Sequence, residues 1–187
     1  REFKNAGNKI YGRVDLKRAF TNSLNTYFVR KSVDMGIDIM GQVSEKYMIN
    51  KKVNFELPLE TSTWTFKRNG FDRTALAAGG IGHDTILVTP LEMCMIASTI
   101  ANDGVMMQPH LVKKIDSSDG KNVLRNTPTV LSEVTSKENA DQITKYMVNV
   151  VNNGTGTEAY VSGVKVAGKT GTAQLDLKAV SYTHLTL

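Results

Sequence analysis

Near the C-terminal end the chain reads Gly163-Val164-Lys165-Val166-Ala167-Gly168-Lys169-Thr170, and this stretch restricts the possible folds more than any other. It fits the phosphate-loop pattern G-x-x-x-x-G-K-[ST]. That pattern needs a buried strand ending at Gly163 and a helix starting at Lys169-Thr170, so that backbone N–H groups face an anion. The same lysine also opens Lys169-Thr170-Gly171-Thr172, a signature that works only on an extended strand beside a cleft. The two readings demand opposite structures at Lys169, and the flanks favour the strand. "TEAYVS", before Gly163, makes a poor buried strand, whereas "VKVA", the would-be loop, is the most strand-like part of the region. Gly171 would weaken a helix by about 1 kcal/mol relative to alanine just where that helix must begin. Nucleotide binding is set aside on these grounds.

On the strand reading each residue of the motif has a chemical use. Lys169 supplies a cation beside an acyl-transfer centre, and Gly171 lets a substrate backbone lie against the strand. The Thr172 hydroxyl can bond a carboxylate, and its backbone N–H can donate to the oxyanion of a tetrahedral intermediate. A second short pattern, Ser23-Leu24-Asn25, belongs to the same chemistry. Taken alone, such a triplet is an ordinary helix cap.

Its setting is helical. Residues 14–36 carry Leu16, Ala19 and Phe20, then Tyr27, Phe28 and Val33, a helical spacing interrupted near Asn22-Ser23. We read two helices with a turn between them, the second ending at Gly36, and a further helix over 38–49. Residues 50–80, with Pro58, Gly70 and Gly79-Gly80, read mostly as loop. Thr89-Pro90-Leu91-Glu92 opens a helix as a capping box with proline at the first position. That helix runs to about Asn102, buries Leu91, Met95 and Ile100, and stops at Asp103-Gly104. Leu111 to Leu124 reads as a hairpin around Asp119-Gly120. Thr135 and Glu138 suggest a second capping box, opening a helix whose Ala140, Ile143, Met147 and Val151 share a face and which ends at Gly154. Val161, Val164 and Val166 then lead as a strand into Lys169.

Composition narrows the function classes. Hydrophobic residues form 41% and charged residues 22% of 187, which is globular rather than disordered or fibrous. The net charge of +5 is modest, and Lys51-Lys52, Lys67-Arg68 and Lys113-Lys114 are scattered among carboxylates, which argues against nucleic acid as a partner. One cysteine, Cys94, excludes an internal disulfide framework and a cysteine zinc cluster. No metal or other cofactor is expected. No apolar run reaches the length of a membrane span.

Three blocks carry a resemblance: "GRVDLKRAFTNSLNTYF", "GGIGHDTILVTPLEMCMIASTIANDGVMMQPHLVKKI" and "VVNNGTGTEAYVSGVKVAGKTGTAQ". In order and spacing they resemble class B penicillin-binding proteins, the D,D-transpeptidases that cross-link bacterial peptidoglycan. The resemblance implies an α+β fold of the penicillin-binding-protein and β-lactamase type, here its helical part plus the Lys-Thr-Gly strand. It covers residues 1–175, with 176–187 as a tail that does not match. It implies catalysis in two steps: a serine attacks the D-Ala-D-Ala end of a stem peptide, and the acyl group then passes to an amine of a neighbouring strand. Ser23 would take part in a proton relay, Asn25 would hold the substrate amide, and Lys169 would supply a second cation near Ser23. Thr170 and Thr172 would engage the terminal carboxylate, with Gly171 between them. Implied partners are stem peptides, β-lactam antibiotics and other wall-synthesis proteins. The place implied is the outer face of the bacterial cytoplasmic membrane, reached through an anchor outside this chain. A serine β-lactamase or penicillin sensor of the same fold, and a non-catalytic scaffold of the wall-synthesis complex, are the alternatives.

The resemblance also implies a Ser-x-x-Lys before Ser23, and no serine precedes Ser23. Ser62 and Ser132 lack a lysine three residues on, and the Ser117-Ser118 pair is expected to fail in the same way. "SYTHLTL" has no counterpart in the family, so the Lys-Thr-Gly strand is expected to lack a sheet partner and to be loose. Cys94 reads as a buried apolar residue, His83 as a solvated loop residue rather than one bordering the cleft, and Trp64 as a packing anchor. Met93, Met95, Met106 and Met107 read as core filling.

Overall fold

A computed structural model of the chain describes residues 2–65, 72–83, 86–173 and 182–186. Helix α1 (Leu16–Thr21) starts where Asp15, in extended conformation, accepts the Arg18 N–H at 2.7 Å. After a turn at Asn22-Ser23, helix α2 (Asn25–Lys46) begins, as the interrupted spacing predicts. The predicted stop at Gly36 and restart near 38 form one element bent at that glycine, whose φ of 80° and ψ of 169° break the helical path.

The stretch expected to be loop holds two elements, β1 (Thr63–Trp64) and α3 (Arg73–Gly79), with β2 (Ile86–Leu87) pairing antiparallel to β1. Gly70 lies outside the described residues. Asp72 caps α3, accepting from Thr74 N at 2.7 Å and Ala75 N at 3.2 Å. Seven alanine-rich residues are too few to show a helical period, so only the cap could have signalled this helix. Asn50 mimics a strand beside β1: its amide donates to Trp64 O and accepts from Trp64 N, both at 2.9 Å.

Helix α4 (Pro90–Ala101) follows its predicted start, with Thr89 Oγ1 accepting the Glu92 N–H at 3.1 Å. Met95 and Ile100 are buried and Leu91 is half-buried. Strand β3 (Val105–Met107) pairs antiparallel with β6 (Val130–Glu133), and between them β4 (Lys114–Asp116) and β5 (Asn122–Arg125) form the predicted hairpin. Helix α5 (Lys137–Asn153) is capped by Ser136, not by Thr135. Ser136 Oγ accepts from Asn139 N at 3.3 Å, while Thr135 Oγ1 takes the Asn139 side-chain amide. Gly154 ends α5 as predicted.

The predicted strand through Val161, Val164 and Val166 is absent. Gly163 turns the chain with φ 79°, Val161 and Val164 are exposed, and β7 begins only at Lys169 (Lys169–Ala173). Strand β7 does have a partner, contrary to expectation. β8 (Tyr182–Thr186) lies antiparallel to it, with Lys169 opposite Thr186 and Ala173 opposite Tyr182.

Two cores hold these pieces. Val53, Met95, Met106 and Val134 are buried where α4 meets β3 and β6, with Leu91, Ile96 and Leu131 against them. Ile49, Trp64 and Leu76 form the second, between the end of α2, β1 and α3. Trp64, 5% exposed, is the expected anchor. Helix α1 rests on α5, and the Gly168 N–H donates to Met147 O at 3.3 Å, which seats the start of β7 on α5.

Candidate active site

The turn between α1 and α2 presents Ser23. Its N–H donates to Phe20 O at 3.2 Å and the next N–H, of Leu24, donates to Ala19 O at 3.0 Å, while the Leu24 side chain is 2% exposed. This anchoring holds Ser23 at φ 52°, in the left-handed region that serine seldom occupies. Such a conformation costs on the order of 1 kcal/mol and persists only where its surroundings dictate it. The strained serine meets a lysine from the far end of the chain. Lys169 Nζ donates to Ser23 Oγ at 2.8 Å, across 146 residues of sequence.

Lys169 has little else around it. Its ammonium also donates to Thr170 O at 2.7 Å and stands 5.8 Å above the Phe20 ring, and among the described residues no carboxylate is paired with it. Phe20 in turn contacts Phe28 edge-on and Tyr146, so the lysine lies on an aromatic floor. Burial without a counter-charge pushes its pKa down to about 8.

The remaining motif residues border the same place. Asn25, half-buried at the first turn of α2, donates its Nδ2 to Lys4 O at 3.0 Å, and Asn5 Oδ1 accepts from the N–H and hydroxyl of Thr26 at 3.1 Å each. Thr170 Oγ1 lies 2.7 Å from Thr155 Oγ1. Gly171 and Thr172 are exposed, and among the described residues, its two chain neighbours aside, none comes within 4 Å of where a Gly171 Cβ would be. Because Lys169 to Ala173 form a strand, the helix that a phosphate loop needs is not there.

Several single-residue expectations change. His83 is not a detached loop residue, for its Nε2 lies 3.2 Å from Thr172 O on β7. Cys94 is exposed rather than buried, on the outer face of α4, and Met93 beside it is 41% exposed. Met95 and Met106 fill the core as expected. The chain also contains two literal Ser-x-x-Lys spacings, Ser118-Asp119-Gly120-Lys121 and Ser162-Gly163-Val164-Lys165, which corrects the expectation for the Ser117-Ser118 pair. Neither lies in a helix, where residues i and i+3 share a face. The first is the tip of the β4–β5 hairpin, with Lys121 paired to Asp119 at 2.8 Å, and the second is an exposed turn.

Phe20, Thr155 and His83 carry no motif, and the pattern of the sequence did not single them out for the site. A cleft of about 460 Å³ is lined by Arg13, Lys17, Arg18, Thr21 and Asn149 among others, and includes neither Ser23 nor Lys169.

A helical wall bearing Ser-x-Asn, set against a strand bearing Lys-Thr-Gly, defines an α+β domain with a two-walled serine–lysine site. Comparison with known proteins agrees. The profile of the family described as penicillin binding protein transpeptidase domain matches residues 1–186, and the chain belongs to that family. Among curated relatives, the peptidoglycan D,D-transpeptidase PbpA of Mycolicibacterium smegmatis is 31% identical over 161 residues, 86% of this chain and 32% of that protein. Among solved structures, the D,D-transpeptidase domain of a peptidoglycan glycosyltransferase from Eggerthella lenta superposes with a TM-score of 0.84 at 32% identity, over 96% of this chain and 46% of that one. Penicillin-binding protein A of M. tuberculosis, solved as a ceftriaxone acyl-enzyme complex, gives 0.85 at 29% identity, over 95% and 40%. The chain thus spans about a third of the curated relative and under half of either solved chain.

Proposed function

We propose that the full-length protein containing this chain is a peptidoglycan D,D-transpeptidase that β-lactams acylate, and that Ser23, Asn25 and Lys169 serve its acyl transfer. The observation that carries the reading is the 2.8 Å contact between Lys169 Nζ and Ser23 Oγ, made by a lysine with a pKa near 8. The acylated serine is assigned to a part of the protein outside this chain. Its hydroxyl gives up its proton to a base that also lies outside this chain as its oxygen attacks the carbonyl of the penultimate D-alanine; an acyl ester forms, the peptide bond breaks, and terminal D-alanine leaves as an amine that must gain a proton. Ser23 gives that proton from its hydroxyl and is replenished by the Lys169 ammonium, whose lowered pKa makes it a willing donor. The cycle reverses when an acceptor amine attacks the ester and sheds its proton.

Asn25 commits one of its two Nδ2 hydrogens to Lys4 O. The second hydrogen and Oδ1 remain to hold a substrate amide. The hydroxyls of Thr170 and Thr172 meet the terminal carboxylate, and open space at Gly171 admits the peptide between them. The reaction belongs at the outer face of the cytoplasmic membrane, where its polymer lies; no helix among the described residues is long and apolar enough to cross a membrane.

Second-order acylation by benzylpenicillin in the full-length protein tests this. Lys169→Ala and Asn25→Ala are expected to slow it about 100-fold or more, with melting temperatures close to the parent. The parental rate is expected to decline above about pH 8 as Lys169 loses its proton, whereas Lys169→Arg, which stays charged but yields no proton in this range, is expected to be slow at every pH and to show no such decline. Folded alanine variants that acylate at the parental rate would remove Ser23, Asn25 and Lys169 from the mechanism.

A further inference from the structure

Thr155 stands outside both motifs, in the turn after α5, yet its two polar groups reach both walls of the site. Its backbone N–H donates to Thr21 O at 3.3 Å, two residues before Ser23, and its hydroxyl lies 2.7 Å from the Thr170 hydroxyl on β7. The turn has little freedom. Gly154 packs so closely on α1 that a Cβ there would fall 2.3 Å from Thr21 O. The N–H groups of Gly154 and Gly156 both donate to Val150 O, and Asn149 Nδ2 donates to Thr21 Oγ1 at 2.6 Å. The place of the Thr155 hydroxyl is therefore set by α1 and α5 and passed on to β7.

A hydroxyl has one proton. When two hydroxyls share a hydrogen bond, one donates, and only the accepting partner keeps its proton for a third group. If Thr170 donates to Thr155, Thr170 turns lone pairs toward any anion beside it. If Thr155 donates, Thr170 can donate onward, and each bond of the chain polarises the next. A carboxylate selects the second order. We infer that Thr155 is a positioning residue that orients the Thr170 hydroxyl to donate to the carboxylate of substrate or antibiotic. The inference rests on the acyl-transfer reading above and places Thr155 itself out of contact with substrate.

The test compares acylation of the full-length protein by benzylpenicillin and by its methyl ester, which lacks the negative charge. Thr155→Val keeps the shape and removes the hydroxyl; Thr155→Ser keeps the hydroxyl. The valine variant is expected to lose about tenfold toward the acid and less than about threefold toward the ester, with serine restoring the preference. If valine proves unfolded by thermal melting, Thr155→Ala is read against the same pair of compounds. An unchanged acid-to-ester ratio, equal losses on both compounds, or failure of serine to restore the ratio would each overturn the role. A wild-type protein acylated by neither compound sinks the acyl-transfer reading itself, and this inference with it.

Discussion

Among the described residues, Glu92 sits in an environment at odds with its chemistry. It is the third residue of a capping box, and its side chain should return to the Thr89 N–H. Here the Thr89 N–H donates instead to Ser62 Oγ at 3.1 Å, so Glu92 Oε1 has no hydrogen-bond partner although the residue is only 3% exposed. Burial raises its pKa to about 7. The folded state then holds a proton that the unfolded chain releases near pH 4.5, so stability falls as pH rises from about 4.5 and the loss is complete above about 7. Glu92→Gln removes that ionisation. It is expected to raise the melting temperature at pH 8 by several degrees, an upper bound of about 3 kcal/mol, and to lose this advantage below pH 4.5. Equal gains at pH 4 and pH 8 in scanning calorimetry would show that the carboxyl is not the cause.

Among the elements, α3 approaches its neighbour so closely that a side chain could not fit between them. A Cβ on Gly79, at its last turn, would lie 2.4 Å from Trp64 Cζ2, so the helix end closes on the face of the indole only because no side chain intervenes. Gly79→Ala is expected to destabilise by about 1–3 kcal/mol through overpacking, read from denaturant midpoints at unchanged slope, whereas Gly171→Ala, with open space around it, should leave the midpoint alone. Neither α3 nor this contact could be read along the chain. Seven residues show no period, and the Trp64–Gly79 approach is a fact of tertiary packing. By contrast the Thr89-Pro90 start of α4, the Asp119-Gly120 hairpin and the Gly154 stop of α5 were legible because each is written by local backbone chemistry. Val161 to Val166 misled for the complementary reason: valines favour extended backbone, but Gly163 at φ 79° turns the chain before any strand can pair. For the site, Ser23 and Lys169 were legible as motifs. Phe20, Thr155 and His83 were not, since their parts depend on which segments the fold brings together.

At the scale of the whole molecule, serine and lysine at Ser-x-x-Lys spacing occur twice, but only in turns, and among the described residues no hydrogen bond or ion pair links either pair to Ser23 or Lys169. Incubated with excess benzylpenicillin, the 187-residue chain is therefore expected to show no stoichiometric adduct by intact-mass spectrometry, and a penicilloyl group on any of its residues would misplace the nucleophile. Among the described residues there are four separate two-stranded sheets and two cores rather than one continuous sheet, so the rigidity of this part is divided. The bend at Gly36 marks one such division. Before it, α2 carries Asn25 and the Phe28 ring that packs edge-on against Phe20; after it, Met40 joins the core around Trp64. Because the helical ladder is interrupted there, the two halves need not unravel together, and amide hydrogens after the bend can exchange with solvent by a local opening that leaves the wall of the site in register.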